Sequence, residues 1–273
     1  MPITGYSNTI SVTTLALLDA YPGAAAAYSV RKLRTAYTGS AIRVRRSSDN
    51  AEQDIGFSGG NLDTTSLTSF CGAGNGFVTT WYDQSGGGNN LTQTTAAQQP
   101  QIVSSGSVIT TLGGKPCCQF DGTKYIYKNW SINLSQPYTN ISVNRYASLT
   151  SPTTFPYIMR NEFGVDTNLS LLGALSGLNR MFNGTNLNHS VAVAVDTNYL
   201  WFGVPNASLT INNVTTTGNS GSNDFVGGLT LGTYNGIIGG LNGFLSEQII
   251  YSGSKSSDQT GIQNNINTYY GIY

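Results

Sequence analysis

The sequence predicts an all-β protein, a two-sheet sandwich or jelly roll with one short helix near its N-terminus. Three observations lead there. Short runs of alternating apolar and polar residues recur along most of the chain, which is the period of a strand with one buried face. Glycine- and asparagine-rich turn signals separate them, as in SGGGNN at 85–90, LGGKP at 112–116 and TTTGNSGSND at 215–224. Finally, 273 residues with 39% hydrophobic and 11% aromatic content supply a sizeable core, and the composition lacks the high net charge of disordered chains.

The helix is expected at about 24–36, inside the stretch TLALLDAYPGAAAAYSVRKLRT. Ala24 to Ala27 are strong helix formers, Val30 and Leu33 stand three apart, Arg31, Lys32 and Arg34 suit the negative end of a helix dipole, and Gly39 stops it. Strands are then expected around Ile42 and Val44, Phe77–Trp81, Ile102 and Val103, Cys118–Phe120, Ile141–Tyr146, Val191–Val195, Leu200–Val204, Leu209–Ile211, Leu229–Leu231 and Phe244–Tyr251. The C-terminal IQNNINTYYGIY has room for one or two helical turns. The organisation read from this is a helical segment 1–40, packed on or docking the sandwich, and a β domain 41–273.

Charge narrows the function classes. Thirteen Lys plus Arg balance thirteen Asp plus Glu, so no overall positive field favours nucleic acid or a membrane surface. A single histidine and three cysteines exclude most metal sites and a disulfide scaffold, and no metal or cofactor is expected. No apolar run reaches the roughly 18 residues of a membrane span, and the N-terminus lacks the basic start of a secretory signal. Synthesis in a cytoplasm is the expectation. The charge-poor, Ser/Thr/Asn/Gly-rich composition suits an exposed surface, and together these features point to a virion component released by lysis.

Individual motifs each have a structural and a chemical reading. In WYDQSGGGNN, Asp83 can accept backbone N–H groups in a turn that its glycines permit, or serve as a catalytic or calcium-binding carboxylate. The adjacent Cys117 and Cys118 read as reduced, buried thiols, because neighbouring side chains on a strand point to opposite faces. Arg31, Lys32, Arg34, Arg43, Arg45 and Arg46 form a basic cluster followed by Asp49, Glu52 and Asp54. That order favours an internal ion-pair layer or a docking face, for which Arg31, Arg34, Arg43, Arg45 and Arg46 are the candidates. His189 has no partner for a triad or zinc site and is expected at the surface or a strand end. The many Asn-x-Ser/Thr sites reflect composition.

Three stretches carry a family resemblance: AAAAYSVRKLRTAYTGSAIRVRRSSDNAEQDIGF at 24–57, FCGAGNGFVTTWYDQSGGGNNLTQTTAAQQPQIV at 70–103, and GGKPCCQFDGTKYIY at 113–127. They resemble the α-L-arabinofuranosidase B catalytic domain, in the version found in phage and environmental-virus proteins. GGKPCCQFDGTKYIY and GGLNGFLSEQIIYSG at 239–253 also resemble concanavalin A-like, laminin-G-type strands. The resemblance implies a concanavalin A-like jelly roll of glycan-handling ancestry. It also implies a vicinal cysteine pair near the sugar pocket, although here Gln119 lengthens the Cys-Cys-Phe-Asp order by one residue.

Glycosidases normally use two carboxyl groups, one on each side of the scissile bond. The family's catalytic Asp after a Gly-Gly pair has no counterpart in LGTYNGIIGGLNGF, where no acid stands between Leu231 and Phe244. Glu162 is a weak candidate for the other carboxylate, and Glu247 sits inside a strand. The expectation is therefore a non-catalytic virion structural, decoration or fibre protein that contacts other virion proteins, forms a homo-oligomer and engages surface glycans. Tyr125, Tyr127, Trp130, Trp201 and Tyr234 are its candidate sugar-stacking residues. The alternative is an active α-L-arabinofuranosidase-like hydrolase.

Overall fold

The computed structural model describes residues 15–130, 133–149, 156–161, 169–233 and 239–273. The first strands are β1 (Ala24–Ser29), β2 (Ile42–Arg46), β3 (Glu52–Ile55), β4 (Phe57–Ser58), β5 (Asn61–Leu62), β6 (Gly76–Trp81), β7 (Leu91–Thr92), β8 (Gln101–Ser104) and β9 (Ser107–Val108). They are followed by β10 (Cys118–Asp121), β11 (Ile126–Asn129), β12 (Thr139–Tyr146), β13 (Tyr157–Asn161), β14 (Leu171–Leu175), β15 (Leu178–Phe182) and β16 (Asn186–Ala192). The last are β17 (Asn198–Val204), β18 (Ser208–Ile211), β19 (Val214–Thr217), β20 (Gly228–Leu231) and β21 (Asn242–Tyr251). The helices are α1 (Leu17–Ala20), α2 (Thr64–Cys71) and α3 (Gln259–Tyr270).

Nineteen of the strands form one large, curled antiparallel sheet that packs on itself, and β4 and β5 pair apart from it as a hairpin. One layer runs β19-β18-β17-β12-β21-β1. The other runs β16-β15-β14-β13-β20-β11-β7-β6-β2-β3. Strand β10 joins them, pairing with β21 in the first layer and with β8, itself a neighbour of β6, in the second. The main core lies between the layers, where Tyr199, Trp201 and Ile250 meet Ile158, Met159, Leu172, Leu229 and Leu231. A second core forms on the outer face of the first layer. There Ile141, Val143, Leu200, Phe202 and Ile249 are covered by Leu17 and Leu18 of α1 and by Ile262, Ile266 and Tyr270 of α3.

The helix expected over 24–36 is instead the strand β1. Its alanines have the higher helix propensity, but Pro22 and Gly23, the latter at φ +95°, break the chain just before them. Long-range pairing with β21 then decides the outcome. Ala26 and Tyr28 fill the main core while Ala27 fills the outer one, so the period is two and both faces are buried. The short N-terminal helix is α1, four residues long, and residues 24–29 of the expected N-terminal segment are an integral strand.

Other differences have similar causes. The strand expected at Val191–Val195 lies earlier, at Asn186–Ala192. The C-terminal segment is a full twelve-residue helix ending at Gly271 in the left-handed region, φ +62°. Its apolar residues are few, and packing on the first layer supplies what propensity does not. Helix α2 starts where the Asp63 carboxylate accepts the Ser66 N–H at 3.0 Å, an N-cap.

Candidate functional site

The second layer turns one face away from the core, and the residues there are polar and aromatic. Register places Tyr127, Thr230 and Arg160 side by side across β11, β20 and β13. Leu229, Leu231 and Met159 alternate with them and point into the main core. Across the β13 irregularity the same face continues to Tyr157 and, through Gly173, to Arg180. The Arg180 guanidinium donates to the Tyr157 hydroxyl at 2.9 Å and to Asn186 Oδ1 at 2.8 Å. Tyr125 and Tyr127 lie with ring centroids 6.0 Å apart. Burial raises the Tyr157 hydroxyl above its ordinary pKa, although Arg180 opposes the shift. Arg160 is fully buried.

This face gathers guanidinium N–H donors, hydroxyls and tyrosine rings together, with Tyr127 half-buried and Tyr125, Tyr157 and Arg180 keeping 7%, 5% and 6% of their surface exposed. Those are groups that hold a sugar, whose hydroxyls need fixed partners and whose C–H faces stack on aromatic rings. Of the expected sugar-stacking set the structure brings Tyr125 and Tyr127 here. Trp130 is largely buried edge-on against Phe225, with centroids 6.1 Å apart. Trp201 has no exposed surface, so it offers no stacking platform and belongs to the core. Tyr234 and Glu162 lie outside the described residues. Arg160, Arg180, Tyr157 and Thr230 were not identified from sequence; the available signal was an arginine inside the otherwise uncharged strand sequences YIMRN and LNRMF.

The WYDQSGGGNN motif has a structural task, because it covers the free edge of β1. Asp83 accepts the backbone N–H groups of Ala27, Ser85 and Asn89 at 2.9, 2.8 and 3.0 Å and the Ser85 hydroxyl at 2.8 Å. Gln84 continues along the same edge. Its N–H donates to the Ala27 carbonyl, its amide nitrogen to the carbonyls of Ser29 and Arg31, and its amide oxygen accepts the Leu33 N–H. Two side chains thus take the place of a neighbouring strand along β1, whose unpaired backbone groups would otherwise template aggregation.

The basic cluster is largely consumed within the chain. Arg43 pairs with Asp54 at 2.7 Å and Arg46 with Asp49 at 2.6 Å. Arg45 binds Gln99 Oε1 and Asn50 Oδ1, and Arg34 donates to the Ser85 carbonyl. Arg31 is buried and reaches Glu247 with two nitrogens, at 2.8 and 3.0 Å. Arg31, Arg43 and Arg46 follow the ion-pair alternative, whereas Arg34 and Arg45 bind neutral acceptors.

Every described carboxylate has a partner within the chain. Besides those above, Asp19 accepts the Thr35 N–H, Glu52 the Thr79 hydroxyl, Asp121 the Thr123 N–H and hydroxyl, and Asp224 the Gln136 N–H. Asp196 pairs with Arg145 and Asp258 with Lys255. The two remaining acids, Glu162 and Asp166, lie in 162–168, which begins directly after β13. Among the described residues no group of three or more His, Cys, Asp or Glu side chains is arranged to hold a metal.

His189 is buried rather than superficial, its Nε2 2.8 Å from the Val214 carbonyl and its Nδ1 accepting the Val191 N–H. Burial lowers its pKa, so it serves as a neutral strand residue. The three cysteines are free and buried. Burial pushes the Cys117 thiol up to about 12 and Cys118 well above its ordinary value. Since the thiolate is the reactive form, iodoacetamide at pH 8 is expected to leave the folded protein unlabelled and to alkylate all three thiols in denaturant. Rapid labelling of Cys117 in native protein, read by peptide mass, would contradict this.

The family model for the catalytic domain of α-L-arabinofuranosidase B matches residues 18–137. Residues 18–137 thus resemble that catalytic domain. The match runs from α1 through the β1 edge and its 83–90 cover to the entry of β12 and ends before β13. No curated protein is similar in sequence. Among solved structures, an arabinofuranosidase complexed with arabinofuranosyl-α-1,2-xylobiose superposes with a TM-score of 0.65 at 17% identity, over 93% of this chain and 64% of that one. A GH54 α-L-arabinofuranosidase soaked with a cyclic sulfate inhibitor gives 0.64 at 18% identity with the same coverage. The binding domain of Paraclostridial Mosquitocidal Protein 1 gives 0.50 at 16%, over 69% of this chain and 49% of that one. The chain thus spans less than two thirds of the arabinofuranosidases it resembles, and the likeness extends to the arabinofuranosidase B-like β-sandwich itself.

Proposed function

We propose that this protein is an arabinofuranosidase-like glycoside hydrolase that binds terminal α-L-arabinofuranosyl groups on the β11–β20–β13 face. The observation that supports it most is the reach of the likeness, from the family match over 18–137 to superposition of nearly the whole chain on arabinofuranosidases. Tyr125, Tyr127, Tyr157 and Arg180 hold the sugar, with the buried Arg160 behind them, and Glu162, next in sequence after β13, is the carboxylate that acts on the glycosidic bond. The test is release of aryl alcohol from an aryl α-L-arabinofuranoside. Wild type is expected to exceed buffer, with Glu162→Gln reducing the rate by about 10³-fold or more, as loss of an essential acid or nucleophile does. Equal rates for wild type and buffer would overturn the hydrolase reading.

A second reading is favoured by the absence of any acid between Leu231 and Phe244. Without a second carboxylate the same face binds arabinofuranosyl groups but does not cleave them. The protein then acts as a repeated, homo-oligomeric virion surface component, where many copies make weak sugar contacts effective. Saturable binding of arabinan without hydrolysis, together with the protein's presence in purified particles by mass spectrometry, separates this reading from the first.

A further inference from the structure

Away from the polar face, α3, the β4–β5 hairpin and the loop before β10 enclose a groove in two adjoining lobes of about 560 and 500 Å3. Each volume lies within the range of small-ligand sites, about 300–1,000 Å3. Asn61, Lys115 and Tyr269 line both lobes. Arg31 and Lys32 line the first, Thr64, Thr65 and Thr68 the second, and no acidic residue lines either.

In a chain of zero net charge, where Arg31, Arg43, Arg46, Lys124, Arg145 and Lys255 pair with carboxylates among the described residues, a groove lined by cations and by no acid is distinctive. Among the described residues neither Lys32 nor Lys115 is in an ion pair. Lys115 Nζ is instead held 4.3 Å from the centre of the Tyr269 ring, and the Arg31 guanidinium lies 5.1 Å from the same ring. Tyr269 is fixed in turn, its hydroxyl donating to Asn61 Oδ1 at 2.9 Å. Glu247 neutralises Arg31 from the buried side and Asp19 partly balances Lys32, so the least compensated charge in the groove is that of Lys115, with Lys32 beside it.

We propose that this groove is a second carbohydrate site, one that takes a carboxylated sugar, a hexuronate within an oligosaccharide. Lys115 and Lys32 receive the carboxylate. The threonine hydroxyls, the Asn61 amide and the exposed backbone of Gly59 and Gly60 meet the ring hydroxyls, and the two lobes accommodate consecutive sugar units. None of the residues assigned to the arabinofuranosyl face lines it, so the two sites are independent.

Calorimetric titration with a galacturonate trisaccharide, the matching neutral galactose trisaccharide and inorganic phosphate tests the assignment. The uronate is expected to bind saturably at low salt, with roughly tenfold weaker affinity in Lys115→Met and a further loss when Lys32→Met is added, the scale of one charge-assisted contact each. The neutral sugar and phosphate are expected to bind at least tenfold more weakly. Any rate on an aryl α-L-arabinofuranoside is unchanged in both variants, and their circular dichroism matches wild type. Equal binding of the neutral sugar, displacement of the uronate by equimolar phosphate, or undiminished affinity in the folded double variant would each overturn the proposal.

Discussion

Arg31→Met is expected to lower the free energy of unfolding by about 3–5 kcal/mol, the loss typical when one member of a buried ion pair is removed. The Arg31 Nε and one terminal nitrogen grip the two oxygens of Glu247, which has no exposed surface. The other terminal nitrogen donates to Asn265 Oδ1 in α3 at 2.8 Å. Ser29 Oγ, at 2.7 Å, and the Tyr270 hydroxyl, at 3.3 Å, complete the shell around the carboxylate. One buried cluster therefore ties the end of β1 to the middle of β21 and to the covering helix. Methionine preserves much of the bulk but leaves the carboxylate without its counter-ion, and that desolvated charge sets the cost.

Glu247→Gln is expected to cost a similar amount from the other side, while Arg31→Met combined with Glu247→Leu should recover most of the loss, since two well-packed apolar groups can replace a buried pair. Urea unfolding at pH 7 reads all three. If each single variant loses less than about 1 kcal/mol, the pair is not the clamp described.

The two-sheet architecture was legible because burial on one face writes a period of two into a strand, and most expected strands lie within two residues of those observed. Strands β13, β14 and β15 were less visible. Tyr157 to Asn161 and Leu171 to Leu175 are buried along nearly their whole length, so alternation gives way to a continuous run. The misassigned 24–36 helix has a different cause: Ala24 to Ala27 express a local preference, whereas their partners Tyr251, Ile250 and Ile249 are more than 220 residues away. The same distance hides the site. Arg160, Thr230 and Tyr127 become neighbours only through antiparallel register, and the Arg31–Glu247 pair spans 216 positions. The turn role of Asp83 was readable because most of its partners are local. Its bond to Ala27, 56 residues back, was not.

That long-range bond sets the second large effect. Asp83→Ala is expected to destabilise the protein by about 2–4 kcal/mol. The carboxylate accepts four hydrogen bonds, and charge-assisted bonds contribute about 1.5–3 kcal/mol each but do not add independently. The buried Ala27 N–H is left with no acceptor on an edge that no strand covers, a cost water cannot offset. Asp83→Asn keeps one oxygen acceptor and should lose about half as much. Hydrogen exchange locates the effect, since the Ala27 amide in Asp83→Ala is expected to exchange faster than the drop in global stability explains, while amides in the centre of β12 follow that drop. A calcium or catalytic role for Asp83 predicts a different pattern: wild-type stability would fall on adding EDTA, and Asp83→Asn would match Asp83→Ala. Unchanged protection at Ala27 would remove the edge-cover account of the motif.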